Sequence, residues 1–327
     1  MQKEYVLITG ATGFIGSHVI ERLLSHEEYE VVAIVRKATN YKNTDRLRSR
    51  GAILVEGNFY DRRILDDTFT KFPIRHVIHL AAVRGVGTAK RAEYYEVNVS
   101  GTEVLLEHSL RNRIRKFIFC SSVGVFGTIP KELPANPRTD LHGDNDYHHS
   151  KIIAEKKVEE FIDKGLDAFI VRPTITYGKG DNGFPCTLVK LIRRRLLLLP
   201  LKRNRIHLLD VNKLAEVFVK ILGTESIGNR TLLVADEAPV FLQEMADLVS
   251  FYFREKHYPR FLKLPTSAFH SILFLVKTLR NEKWISRIQL VFKDWHFDTS
   301  EMSSLLGVEP ANTKNEFVKF LDTIPRC

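Results

Sequence analysis

Six short apolar runs punctuate the first two-thirds of the chain: YVLIT (5–9), VVAIV (31–35), AILVEG (52–57), RHVIHLA (75–81), RKFIFCSS (115–122) and DAFIVRP (167–173). Runs this continuous and rich in Val and Ile are typical of strands buried on both faces, the pattern of a parallel sheet. Parallel neighbours cannot be joined by hairpins, so each pair needs a crossover. Helical spacing fills the intervals, over about 14–26, 61–72, 91–111 and 147–164. The fold class predicted is α/β, a doubly wound parallel sheet with helices on both faces. After about Gly178 the regularity falls. Residues 1–178 therefore read as the sheet domain, and 179–327 mainly as a smaller mixed substrate lobe, some of whose segments return to the core.

Bulk properties narrow the classes. The chain has 327 residues, 44% hydrophobic and 27% charged, ordinary for a globular protein. No apolar run reaches the roughly 18 residues of a membrane helix, so no transmembrane segment is expected. The strand pattern starts almost at once, which predicts no signal peptide. Cys120, Cys186 and Cys327 have no metal or disulfide spacing, and the expected location is cytoplasmic. The net charge of +10 comes from dispersed clusters: Arg36-Lys37, Arg62-Arg63, Arg111 to Lys116 and Arg193 to Arg205. No nucleic-acid module accompanies them, and nucleic acid is not expected as a partner.

The segment LITGATGFIGSH sets Gly10, Gly13 and Gly16 after the first strand and at the start of a helix, with Phe14 and Ile15 between the last two. Glycine there permits a sharp turn and lets a pyrophosphate approach the amides, while the helix N-terminus offers free N–H groups. About twenty residues on, where NAD enzymes carry an acid for the ribose, stands Val35, followed by Arg36 and Lys37. A guanidinium can clasp a 2′-phosphate that a carboxylate would repel, so NADP is favoured, with NAD possible. Arg36 also reads as a charge merely exposed after a strand.

The ordered motifs resemble the extended short-chain dehydrogenase/reductase superfamily, which includes nucleotide-sugar epimerases and dehydratases, 3β-hydroxysteroid dehydrogenases and dihydroflavonol reductases. They are TGATGFIGSH, EGNFYD, HLAA (79–82), VNVSGT around Asn98, CSSVGVFG (120–127), Tyr147-x-x-x-Lys151 and VRPTITYG (171–178). The resemblance covers about residues 4–222 and implies a Rossmann fold. It implies cofactor contacts at the glycine motif, Asn58 (where the family has aspartate), Phe59, Ala81, Ala82, Asn98, Tyr147, Lys151 and Pro173. It further implies a homodimer seamed by the helix bearing Tyr147 and the one before it.

Within DNDYHHSKIIAEK (144–156), Tyr147 and Lys151 at i and i+4 share one helical face. A phenol of ordinary pKa near 10 is a poor base at neutral pH, but an ammonium and a cationic nicotinamide would lower it. The resemblance makes Tyr147 the acid/base, Lys151 its partner and ribose anchor, and Ser122 the holder of the substrate oxygen, with Ser121 as a structural neighbour. His148 and His149 lack further ligands at metal spacing, so no metal site is expected and they read as surface or supporting residues.

For a small-molecule substrate the candidates are Arg84, Tyr177, Asn182, Phe184 and Arg205. Arg84 reads equally as an exposed loop charge. The arginines from Arg193 to Arg205 could pair with a diphosphate or form a solvated face, and Ile175 stands where nucleotide-sugar relatives have asparagine. LPTSAFHSILFLVKTLR (264–280) resembles a segment of steroid- and flavonoid-type reductases, or is lobe core. The expected function is an NADP-dependent oxidoreductase interconverting a secondary alcohol and a ketone. The alternatives are a nucleotide-sugar 4-epimerase or 4-ketoreductase using the same residues, and a non-catalytic dinucleotide sensor.

Overall fold

The computed structural model describes residues 3–36, 41–224, 230–279 and 281–325. The six apolar runs form strands β1 (Glu4–Thr9), β2 (Tyr29–Val35), β3 (Ile53–Glu56), β4 (Ile74–His79), β5 (Lys116–Cys120) and β6 (Ala168–Pro173). Between them lie α1 (Phe14–Leu23), α2 (Tyr41–Ser49), α3 (Arg62–Lys71), α4 (Arg91–Tyr95), α5 (Gly101–Arg111) and α6 (Asp146–Asp163). The reason for the continuous apolar runs is visible in β1. Val6 and Ile8 pack on one side of the sheet and Leu7 on the other, all fully buried. Each such side chain stabilises the fold by about 1.5–3 kcal/mol.

The rest of the chain follows as β7 (Ile175–Tyr177), α7 (Phe184–Arg193), β8 (Leu199–Pro200), β9 (Arg205–Ile206), β10 (Leu208–Asp210), α8 (Val211–Gly223), β11 (Arg230–Val234), β12 (Val240–Phe241), α9 (Leu242–Arg254), β13 (Lys263–Leu264), α10 (Thr266–Thr278), α11 (Glu282–Phe292), α12 (Ser300–Leu306) and α13 (Thr313–Asp322). The main sheet has seven strands in the order β11-β6-β5-β4-β1-β2-β3, every neighbouring pair parallel. It is a Rossmann sheet completed by β11, which returns from the second part of the chain to pair with β6. The chain winds outward in both directions from β1 and β4, and their carboxyl ends open the crevice in which such folds bind ligands. A separate apolar cluster, from Val123 through Tyr177 and Leu188 to Trp295 and Phe317, holds the lobe together.

The long helix expected over 91–111 is three pieces. A π-helical turn, Glu96–Ser100, separates α4 from α5. Such turns often mark functional sites, and Asn98 sits in the middle of this one.

Candidate active site

The glycine turn is closed by backbone packing. A Cβ on Gly16 would lie 2.2 Å from the Gly10 carbonyl oxygen, and one on Gly10, whose φ is +73°, would lie 2.6 Å from the Ala81 amide nitrogen. No other residue fits at either position. Helix α1 has Gly13 at its N-cap, with no side-chain cap and no acid in its first turn, so its leading N–H groups are left uncapped by side chains. Above them is a cavity of about 610 Å3 lined by Gly10, Gly13, Phe14, Ile15 and Gly16, and further by Arg36, Asn58, Phe59, Ala81 and Ala82. A bare helix N-terminus under a wide cavity fits a dinucleotide pyrophosphate. Val35 also lines it, and no carboxylate stands at the end of β2. Lys37 lies outside the described residues.

A second cavity, about 280 Å3, continues from the first and shares Phe14, Ile15, Leu80, Ala82 and Arg84 with it. Ser121, Ser122, Tyr147, Lys151, Pro173 and Phe184 line it. Ser121 and Thr174 line this cavity, and their buried hydroxyls have no partner among the described residues.

Burial pushes the Tyr147 phenol up to about 12; the Cys120 side chain adds to this, while the Ser122 hydrogen bond and the Arg84 charge oppose it. In the chain by itself burial outweighs whatever lowering the neighbouring lysine contributes. The Lys151 ammonium donates to the Cys120 carbonyl oxygen at 2.7 Å and sits 4.4 Å over the Phe119 ring. Burial lowers its own pKa to about 8. A phenol at about 12 rests protonated at neutral pH.

Beneath the site runs a polar chain whose donors can all be assigned. The Ala81 N–H donates to Thr9 Oγ1, and that hydroxyl donates to His79 Nδ1 at 2.6 Å. The opposite ring nitrogen, Nε2, donates to Thr102 Oγ1 at 2.9 Å, and Thr102 donates to the Asn98 carbonyl. Burial drops the His79 pKa to about 3, so the ring is neutral, and this pattern requires the Nε2–H tautomer. Asn98 then clamps Val83 through both amide atoms and donates to Ser150 Oγ, which donates to the Tyr147 carbonyl. Asn98 is buried and lines neither cavity. Its expected cofactor contact gives way to a positioning one, because every polar atom of its side chain is already engaged.

Two substrate candidates also need correction. Tyr177 is fully buried, its hydroxyl donates to Asp236 at 2.9 Å, and its ring packs on Phe317. It belongs to the lobe core, where burial raises the Asp236 carboxyl to about 7. Arg205 is exposed on β9 and lines neither cavity, and the same is true of Arg193, Arg194, Arg195 and Arg203 as lining residues. Asn182 accepts from Arg84 at 2.8 Å, beside the cavity to which Arg84 contributes.

His148 is buried rather than superficial. Its Nδ1 lies 2.6 Å from Asp144 Oδ1, and its ring occupies the space that a Cβ on Gly124 would need. Asn145 caps α6 by accepting from the His148 N–H. The histidine thus locks the first turn of the Tyr147 helix against the loop after Ser122. His149 is exposed. Sequence reading also missed Thr174 and the Cys120 carbonyl, neither of which carries a local motif of its own.

A Rossmann crevice with a bare glycine-turn helix end, continuous with a cavity holding a tyrosine and lysine one helical turn apart, defines a nicotinamide-dinucleotide-dependent enzyme. The chain belongs to the NAD dependent epimerase/dehydratase family, whose family model matches residues 6–234. It is 30% identical over 251 residues to the UDP-glucose 4-epimerase of Vibrio cholerae, covering 73% of each chain. It is also 30% identical over 183 residues to sterol demethylase protein B of Methylococcus capsulatus, covering 54% of this chain and 52% of that one. In fold it is similar to the crystal structure of UDP-glucose 4-epimerase with UDP-glucose from Thermotoga maritima, with a TM-score of 0.77 and 20% identity over 98% of both chains. No described helix is long and apolar enough to cross a membrane.

Proposed function

We propose that the chain interconverts a secondary alcohol and a ketone with NADP as its preferred cofactor, in the cavity shared by Ser122, Tyr147, Lys151 and Pro173. The observation that carries this reading is the placement of those four residues around one space that opens directly into the glycine cradle. The cofactor supplies or accepts the hydride. In reduction, Tyr147 Oη gives its proton to the carbonyl oxygen as hydride reaches the carbonyl carbon, and C=O becomes CH–OH. In oxidation, the phenolate takes the hydroxyl proton as hydride leaves the same carbon. A phenol held up near 12 suits the first direction, since it starts protonated. Ser122 would hold the reacting oxygen, and Lys151 would fix the ribose side of the cofactor. The preference for NADP rests on Arg36 at the cavity wall and on the missing acid at the end of β2.

A 4-epimerase acting on a nucleotide sugar is the second reading, supported by the likeness to UDP-glucose 4-epimerases. It would run the same step twice, outward and back, without releasing the cofactor. Against it stand the arginines proposed for a diphosphate, which line neither cavity.

The test is Tyr147→Phe, assayed with NADPH against ketone and nucleotide-sugar panels. Turnover should fall by about 10²–10⁴ while cofactor binding persists. Full activity in the variant sinks the assignment. Consumption of many NADPH per enzyme identifies the reductase, and sugar conversion with no net consumption identifies the epimerase.

A further inference from the structure

The basic clusters read above as dispersed hide an uneven balance, because the excess positive charge lies in two segments. Residues 193–205 and 254–287 together hold fourteen Lys and Arg against two acids, Glu255 and Glu282. The other 280 residues hold 35 Lys and Arg against 37 Asp and Glu, so the rest of the protein is slightly acidic. The same two segments carry eight of the twelve exposed large hydrophobic side chains among the described residues. They include Leu196, Leu201, Phe261, Phe274, Leu275 and Trp284, each between 53% and 77% exposed.

The fold joins these segments into one region. Strand β13 pairs with β8, and the Leu201 N–H donates to the Leu264 carbonyl at 2.8 Å. The Tyr258 hydroxyl bonds both the N–H and the carbonyl of Leu197. Helix α10 follows β13 directly and packs on α11, with Phe269 stacked on Phe292. Some cations are engaged: Arg203 pairs with Glu244, and Arg193 donates to the Pro325 carbonyl. Arg194, Arg195, Lys202, Arg260, Lys277 and Lys283 form no ion pair among the described residues.

We propose that this face docks peripherally on an anionic lipid surface. Exposed Phe, Leu and Trp gain by entering the boundary between headgroups and acyl chains, and neighbouring Lys and Arg keep their charges at the phosphates. Nucleic acid would use the charge but leave the leucines in water. A second copy would cover the leucines but set cation against cation. Helix α10 has only 13 residues, fit to lie on a bilayer and too short to cross it. The docked lobe also walls the second cavity. Helix α7 begins there at Phe184 and ends at Arg193, and Ser286 on α11 lies 3.2 Å from Thr128, in the loop after Ser122.

Flotation of the full chain with vesicles of phosphatidylcholine alone, and of phosphatidylcholine with phosphatidylglycerol, tests this. Binding is expected to the anionic vesicles only, and to weaken as salt rises from about 0.1 M to about 1 M, where screening shortens from about 10 Å to about 3 Å. Phe274→Glu with Leu275→Glu should cut binding at least about tenfold. Lys277→Glu with Lys283→Glu should cut it comparably, and both variants should keep the thermal shift given by NADP. Equal binding to neutral vesicles, no flotation at all, or undiminished binding by folded variants overturns the proposal. So does a lipid-free dimer that the Phe274/Leu275 change dissolves, or single-stranded DNA displacing the protein from the vesicles.

Discussion

Lys151 aims its ammonium down at the Cys120 carbonyl oxygen, 2.7 Å away at the end of β5, while its neighbour one helical turn earlier, Tyr147, keeps a phenol raised to about 12. The lysine is anchored to the sheet before any ligand arrives. With its pKa lowered to about 8 by burial, it is charged at neutral pH and loses that charge just above. Cofactor affinity should therefore weaken as pH rises through about 8, and Lys151→Arg should move the loss beyond the accessible range. Titrations of NADP binding from about pH 7 to about pH 9.5 check this, and a flat profile for the native chain would refute it.

Arg36 is exposed and lines the first cavity, with Val35 rather than an acid beside it. Arg36→Ala should weaken NADP by about tenfold, a loss of about 1.4 kcal/mol, and leave NAD nearly unchanged. Isothermal titration with both cofactors measures the ratio. Equal losses for both would remove the basis for a preference.

Glu155 and Arg172 form a buried bidentate pair at 2.7 and 2.9 Å, tying α6 to β6 one turn beyond Lys151. Glu155→Ala leaves a guanidinium buried without its carboxylate and should cost about 3–5 kcal/mol. Glu155→Leu with Arg172→Met should recover most of that, because neither charge remains. Urea unfolding of the three proteins gives the comparison, and a double variant no better than the single would contradict the account.

Burial favours the neutral form of Asp144, but the His148 hydrogen bond and charge and the Thr128 N–H outweigh it and hold the carboxyl at about 2, below its ordinary 3.8. A carboxyl depressed by folding stabilises the protein above its unfolded pKa, and the gain is lost as pH falls through the folded value. Asp144 is partly exposed, which reduces the effect to about 1 kcal/mol. The stability gap between the native chain and Asp144→Asn should thus be full at about pH 6 and shrink between about pH 4 and about pH 2. A gap independent of pH would show that the carboxylate charge is not what counts.

Much of the fold was legible because its signals are local. Each of the six apolar runs became a strand, since Val- and Ile-rich runs buried on both faces have few other stable arrangements. Tyr147 and Lys151 meet at the second cavity because helical spacing puts i and i+4 on one side. Where the reading failed, the deciding contact was distant in sequence. Tyr177 sits beside the motif residues in sequence, but Asp236, 59 residues on, draws its hydroxyl into the core. Asn98 looked like a ligand contact until the loop at Val83 and the helix at Ser150 claimed its amide.

By itself the sequence determined six of the seven strands of the main sheet, the glycine turn and the shared face of the tyrosine and lysine. Those follow from side-chain period and backbone sterics, which act over a few residues. Only the tertiary structure decided that β11 completes the sheet, that Lys151 points at a carbonyl, that the arginine run lines neither cavity, and that two basic apolar segments meet. These depend on which distant atoms meet, and burial then sets the charge each group can carry.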